Sequence, residues 1–344
     1  MADQLDVLLY GLGAIGSFYA FILHRTNRVR LTVVARSNYT AVKENGILLQ
    51  SANHGEHRFH PNRGNPPPSN PPIHTSLSTN PTAATVIRSP SELTEPADYI
   101  VCTNKAIDSD SVVHSLAPAV GQDTTIVVIQ NGVGNEDPFR AAYPTCTIIS
   151  CVTWVGASQP IPGLVQHTTS EDTELGLYPN PNLPDSIEST RLTTFTSLLA
   201  QGQTPHTIHT NIQPTRWTKV IWNCAWNTLT TLTAQDTQSF LQSSPSAIPF
   251  TRRLMSEVIA VARATGISLP DDLIETQLAR IQRLGPVRTS MQIDRENHRP
   301  MEIEVIVGTP VRKARELGVP TPVLDTLYVL LQAVDGEMRR GQKI

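Results

Sequence analysis

Residues 5–16 read LDVLLYGLGAIG, and the reading of this stretch decides the fold. Leu5 to Tyr10 is a short, mainly apolar run without regular polar alternation, as a parallel strand buried on both faces requires. It leads directly into Gly11-Leu12-Gly13-Ala14-Ile15-Gly16. In such a turn the first glycine permits the sharp bend, the second lets backbone amides approach a pyrophosphate, and the third lets the next helix pack closely on the strand. The helix predicted over Ala14 to His24 then aims its positive end at the phosphates. Three spaced glycines alone are a weak signal, and a merely glycine-rich turn is the competing reading. Their place between a strand and a helix favours a dinucleotide site built from Gly11, Leu12, Gly13, Ala14, Ile15 and Gly16.

Working outward, the next strand, Arg30 to Ala35, ends at Arg36-Ser37-Asn38. A site selective for NAD usually places an acid here to hold the ribose 2'-hydroxyl; none is present, and Arg36 suits a 2'-phosphate, so the expected cofactor is NADPH/NADP. An exposed arginine without cofactor contact is the plainer alternative. Strands follow at Asp98 to Thr103 and at Thr125 to Gln130, with further ones at Cys146 to Gly156, Gly163 to His167 and Glu174 to Tyr178. A helix is expected over Ser186 to Ala200. This alternation gives an α/β unit, a doubly wound parallel sheet over residues 1–210. Strand ends in such a sheet face the ligand crevice, which draws attention to Lys105 and to Asn131-Gly132-Val133-Gly134. Lys105 fits a substrate carboxylate, a cofactor phosphate or plain solvent. Asn131 offers a donor and an acceptor to a ligand, or simply closes the turn.

Residues 51–90 break the pattern. The patch at 65–72, NPPPSNPP, can join neither a helix nor a central strand, so the segment reads as an exposed, partly disordered loop. His54, His57 and His60 lie in it without a framework of acids or thiols, which favours solvated loop histidines over a metal site.

From residue 211 to 344 the pattern is helical. Pro214 suits the first position of a helix, and RWTKVIWNCAWNTLT, residues 216–230, continues it. Lys219, Asn223 and Asn227 recur every four residues and share one stripe, while the other faces are apolar. A helix apolar nearly all round is buried, and each polar group left unsatisfied there costs roughly 1 to 3 kcal/mol. Either a ligand satisfies the stripe, or Lys219 reaches solvent beside two bridging asparagines. An apolar stripe at Phe250, Leu254, Val258 and Val261 marks a long helix, and others are expected over Asp271 to Leu284 and Leu324 to Met338. Near Pro300 another helix opens and runs to about Gly318, with a kink expected at Pro310. Glu302 in its first turn suits the helix dipole as readily as a catalytic role, and Glu304 could serve equally.

With 344 residues, 39% of them hydrophobic, the chain has enough for two ordinary cores. A net charge of -3 without any long basic run argues against nucleic acid and anionic membrane as partners. No apolar run approaches the roughly 18 residues needed to span a bilayer. The first strand begins within a few residues of Met1, leaving no room for a signal segment, so the cytoplasm is the expected compartment. Four cysteines without CxxC spacing read as reduced, packed thiols.

GLGAIG at 11–16, QNG at 130–132, KVIWNCAWN at 219–227 and TSM followed by EIE between 289 and 304 resemble, in order and spacing, the motifs of the ketopantoate reductase (2-dehydropantoate 2-reductase) family. The likeness covers nearly the whole chain. It implies a Rossmann-type domain that carries NADPH and an all-helical domain that binds a small 2-keto acid, in a protein expected to form a homodimer. It further implies Lys219 as general acid and Glu302 as holder of the new hydroxyl. Asn223, Asn227 and Ser290 would bind substrate, Asn131 would serve substrate and cofactor, and Arg36 and Lys105 would read the NADP phosphate. Two departures stand out: the proline-rich segment is longer than the family's usual connection, and Val307 stands where the family often has Asn. Alternatives are a reductase of another keto acid or small ketone, a dehydrogenase of similar two-domain plan, and a non-catalytic NADP sensor.

Overall fold

The computed structural model describes residues 4–61 and 86–341. The chain forms two compact units that divide at Ile212/Gln213. Two short earlier segments, Lys105–Asp108 and Asn131–Asn135, belong with the second unit.

Among the described residues, the strands of the first unit are β1 (Leu5–Tyr10), β2 (Val29–Val34), β3 (Ile47–Ser51), β4 (Gly55–Phe59), β5 (Val86–Ile87), β6 (Tyr99–Cys102), β7 (Thr125–Ile129), β8 (Thr147–Thr153), β9 (Ala157–Ile161), β10 (Leu164–His167), β11 (Thr173–Tyr178) and β12 (His206–Ile208). Helices α1 (Ala14–His24), α2 (Tyr39–Asn45), α3 (Ser109–Leu116), α4 (Asp137–Ala142) and α5 (Asp185–Gln201) accompany them. The main sheet has the order β12-β11-β8-β7-β6-β1-β2-β5 and is parallel except where β11 meets β8. Its central strands are apolar apart from Asp6 and Thr125 near their starts, as strands covered on both faces require. From β1 the chain winds one way to β2 and from β6 the other way to β7, so the switch point lies between β1 and β6. This is the doubly wound sheet expected from the sequence.

The segment expected as a loop over 51–90 is corrected where it is described. Strands β3 and β4 form a hairpin in a second sheet, order β4-β3-β10-β9, that packs on the outer face of α1. Strand β4, GEHRF, has little apolar character of its own; what orders it is pairing with β3, which in turn pairs with β10 more than a hundred residues later. The histidines are therefore not all solvated. His54 Nε2 lies 2.9 Å from Glu171 Oε1, and the His57 ring lies 4.8 Å from that of Phe21, while His60 is exposed. Burial holds the neighbouring His167 imidazole below the usual histidine range. The proline-rich patch at 65–72 lies outside the described residues.

The second unit contains α6 (Gln213–Thr233), α7 (Thr237–Gln242), α8 (Ala247–Ala264), α9 (Leu273–Leu284), α10 (Ser290–Glu296), α11 (Thr309–Leu317) and α12 (Pro322–Gly341). Helix α6 is its axis, buried against α8, α10 and α12, with Trp226 and Cys224 inaccessible to solvent. The helix expected from about Pro300 departs from a plain α-helix. Glu304–Gly308 is a π-helical turn that passes directly into α11, with Pro310 in the first turn of α11 rather than at a mid-helix kink. Pro310 has no N–H to give Ile306 O at α-helical spacing, and the Cys224 thiol donates to that carbonyl instead, at 2.9 Å. Burial raises the pKa of Cys224, which keeps the sulfur a protonated donor.

Candidate active site

In the first unit the three glycines of the β1–α1 turn are required for three different reasons. Gly11 has φ +103°, and a Cβ there would lie 2.4 Å from the amide nitrogen of Asn104 at the end of β6. At Gly16 a Cβ would lie 2.0 Å from Gly11 O, so α1 can approach β1 only without a side chain. A Cβ added at Gly13 would meet nothing within 4 Å outside its chain neighbours, which leaves open the space a pyrophosphate would fill. Helix α1 has no side-chain cap at that end, so its leading amides have no side chain across them. The loop carbonyls are tied back: Thr103 Oγ1 donates to Gly11 O at 2.7 Å, and buried Asn38 Nδ2 to Leu12 O at 2.5 Å. This turn fits a dinucleotide. Arg36 is exposed just beyond β2, its guanidinium 5.9 Å from the Tyr10 ring centroid. Ala35 N donates to Ile87 O, and the register carries Arg88 to the same strand end, over the Tyr39 ring at 3.9 Å. Only two residues of β5 are described, Val86–Ile87, too few for a sequence pattern to place Arg88 there.

In the second unit the structure joins Glu302 to Asn131. The Glu302 side chain is buried; Oε1 accepts from Ala106 N and Oε2 from Asn131 Nδ2, each at 3.0 Å. Asn131 is held in turn by Asn135 Nδ2, which donates to its carbonyl at 2.6 Å. Glu304 is occupied differently, accepting from Arg312 Nη1 at 2.6 Å and from Tyr328 Oη at 2.9 Å. Of the two acids, Glu302 is the one joined to the strand-end turn. On α6, Lys219 is half-buried, while Asn223 and Asn227 are buried. Asn227 Nδ2 has no hydrogen-bond partner among the described residues, the condition expected of a group that meets a ligand or water.

Two candidates have surroundings the motifs did not foretell. Lys105 Nζ lies 2.5 Å from Asp294 Oδ2, a buried carboxylate that also accepts from Arg299 Nε at 3.0 Å. Ser290 is exposed, and the hydroxyl turned toward α6 at this helix end is that of Thr289, 2.7 Å from Thr230 Oγ1. Thr289 is the N-cap of α10, and its side chain accepts from Gln292 N. Arg216, also unmarked by any motif, is 1% exposed and donates from Nη1 to Gly132 O at 2.9 Å. An arginine in a helix that reads as apolar nearly all round was the available signal.

A dinucleotide turn on a doubly wound sheet, with a buried acid and a lysine–asparagine stripe in a helical unit, defines a nicotinamide-dependent reductase. The family model described as ketopantoate reductase PanE/ApbA matches residues 7–180, and its C-terminal counterpart matches residues 211–335. The 2-dehydropantoate 2-reductase of Nostoc sp. is 26% identical over 334 residues, covering 97% of this chain and 96% of that protein. A crystal structure of 2-dehydropantoate 2-reductase from Methylococcus capsulatus is 32% identical with a TM-score of 0.81, over 97% of this chain and 98% of that one. D-mandelate dehydrogenase, solved with NADH and anilino(oxo)acetate, shares the fold at 22% identity and a TM-score of 0.80, over 97% and 100% of the two chains. The chain belongs to the ketopantoate reductase family. It is an oxidoreductase, and the cofactor of its family is NADPH.

Proposed function

We propose that this protein reduces 2-dehydropantoate to pantoate with NADPH. The reading is carried by the buried Glu302 carboxylate, fixed by Ala106 N and Asn131 Nδ2 in the unit that also presents Lys219, Asn223 and Asn227. Bound NADPH would supply the hydride that adds to the keto carbon, leaving negative charge on the carbonyl oxygen. Lys219, as an ammonium, neutralises the developing charge on that oxygen and gives it a proton, a role worth about 10² to 10⁴ in rate. Glu302 accepts a hydrogen bond from the hydroxyl so formed. Because Ala106 and Asn131 occupy one lone pair on each oxygen, the carboxylate keeps its orientation while further lone pairs serve the substrate. Asn223 and Asn227 bind the substrate's polar groups, with Ser290 as donor to its carboxylate and Asn131 serving both ligands. Arg36 pairs with the 2'-phosphate, and Lys105 is a second cation for the cofactor phosphate.

A second reading, reduction of a different 2-keto acid on the same frame, is favoured by the fully buried Val307 three residues beyond Glu304, which offers substrate no polar group. NADPH absorbance followed across a panel of aliphatic and aromatic 2-keto acids separates the two. The expected result is highest kcat/KM for 2-dehydropantoate. Preference for an aromatic keto acid selects the second reading, and no turnover with any member removes both.

A further inference from the structure

We infer that Arg216 is a positioning residue, whose buried guanidinium acts through the Gly132 carbonyl to hold the Asn131–Asn135 turn where Asn131 can fix Glu302. The inference deepens the proposed function and rests on the role given there to Glu302.

A guanidinium stays charged at any pH a protein survives, so removing it from water is strongly unfavourable unless its donors are matched. Arg216 is nevertheless almost wholly inaccessible, and one of its matches is Gly132 O at 2.9 Å. The turn it grips has soft backbone, with Gly132 at φ +97° and Gly134 at +79°. Glycine at both points removes the steric limits that would otherwise define its path. The path is set instead by contacts. Val133 N donates to Val305 O at 3.1 Å, and a Cβ on Gly132 would lie 2.5 Å from Val305 Cβ, so the turn lies flush on the segment that carries Glu302. Arg216 pins the carbonyl between Asn131, which donates to Glu302, and Val133, which donates to Val305.

Arg216 also lies three residues before Lys219, hence on the adjoining turn of the same helix. The helix that presents the proton donor thus clamps the turn that orients the acceptor. Lysine could not fully replace Arg216, because its donors diverge from one nitrogen whereas the guanidinium fork is planar and already arranged.

The test uses the full chain with Arg216→Met, which keeps length without charge, and Arg216→Lys, which keeps charge and covers the case in which the methionine variant does not fold. Two readouts are needed. Amide exchange at Val133 reports on the turn without substrate; kcat/KM with NADPH and 2-dehydropantoate, in a cycle with Glu302→Gln, reports on the chemistry. Exchange at Val133 should quicken at least about tenfold while α8 amides stay protected. Turnover should fall by about 10²-fold with KM for NADPH unchanged, the scale of a misplaced site group. Combining either variant with Glu302→Gln should slow the enzyme no further than Glu302→Gln alone, an outcome a merely structural role would not produce. Unchanged Val133 exchange in both variants overturns the inference, and so do losses that add to that of Glu302→Gln. If the wild-type protein turns over no keto acid while Val133 exchange still quickens in the variants, the reductase reading falls and the clamp stands.

Discussion

The turn after β1 and the turn after β7 both leave buried parallel strands and both bend through glycine at positive φ, +103° at Gly11 and +97° at Gly132. They differ in how much of the hold comes from single side chains. The first is wedged by backbone, with Asn104 N against Gly11 and Gly11 O against Gly16, so its shape follows from chain sterics within one sheet. The second is held from far off in sequence, by the Val305 carbonyl and by two side chains: Arg216 reaches it across 84 positions and Glu302 across 171. A turn wedged by backbone changes little when one side chain is lost. A turn held by a few distant side chains gives single substitutions a hold on the chemistry, and in this protein that turn carries Asn131.

The largest expected effect tests the side-chain-held region. Lys219→Ala should lower kcat by about 10² to 10⁴ with NADPH affinity nearly unchanged, because the contribution arises chiefly in the transition state. Melting temperature and kcat measured on one preparation decide the matter. A folded, NADPH-binding variant with wild-type turnover would deny Lys219 its role and leave the stripe on α6 as packing.

In the backbone-held region the expected effects fall on binding rather than rate. Arg36→Ala should cost about 1.5 to 3 kcal/mol of NADPH binding, roughly one to two orders of magnitude, with NADH binding little altered. Fluorescence titration with both cofactors measures the ratio; an unchanged ratio returns Arg36 to the solvent. The smallest effect sharpens the comparison inside the glycine turn itself. Gly16→Ala forces overlap with Gly11 O and should destabilise by about 1 to 3 kcal/mol. Gly13→Ala meets open space, so its melting temperature should match wild type while NADPH affinity falls. Equal melting temperatures for the two variants would contradict the division of labour among the glycines.

What could be read along the chain follows the same division. The β1–α1 turn was legible because its glycines stand at fixed spacing between a strand and a helix, although the Asn104 backbone that Gly11 meets lies far along the chain, and the spacing of Lys219, Asn223 and Asn227 because helix geometry repeats every few residues. Strands β3 and β4 were not, since the pairing that orders them involves β10 and the face they cover belongs to α1. The π-helical turn was hidden for a similar reason: Pro310 signals a disturbed helix, but the donor that satisfies Ile306 O is a thiol on another helix.

Hydrophobic periodicity and backbone stereochemistry act over a few residues, and by themselves they determined the doubly wound sheet, the dinucleotide turn and the lysine–asparagine helix. Hydrogen bonds and ion pairs act over about 3 Å in space whatever the separation along the chain. That is why only the tertiary structure decided that Glu302 rather than Glu304 meets Asn131, that Thr289 rather than Ser290 faces α6, that Lys105 rests on Asp294, and that Arg216 closes on Gly132.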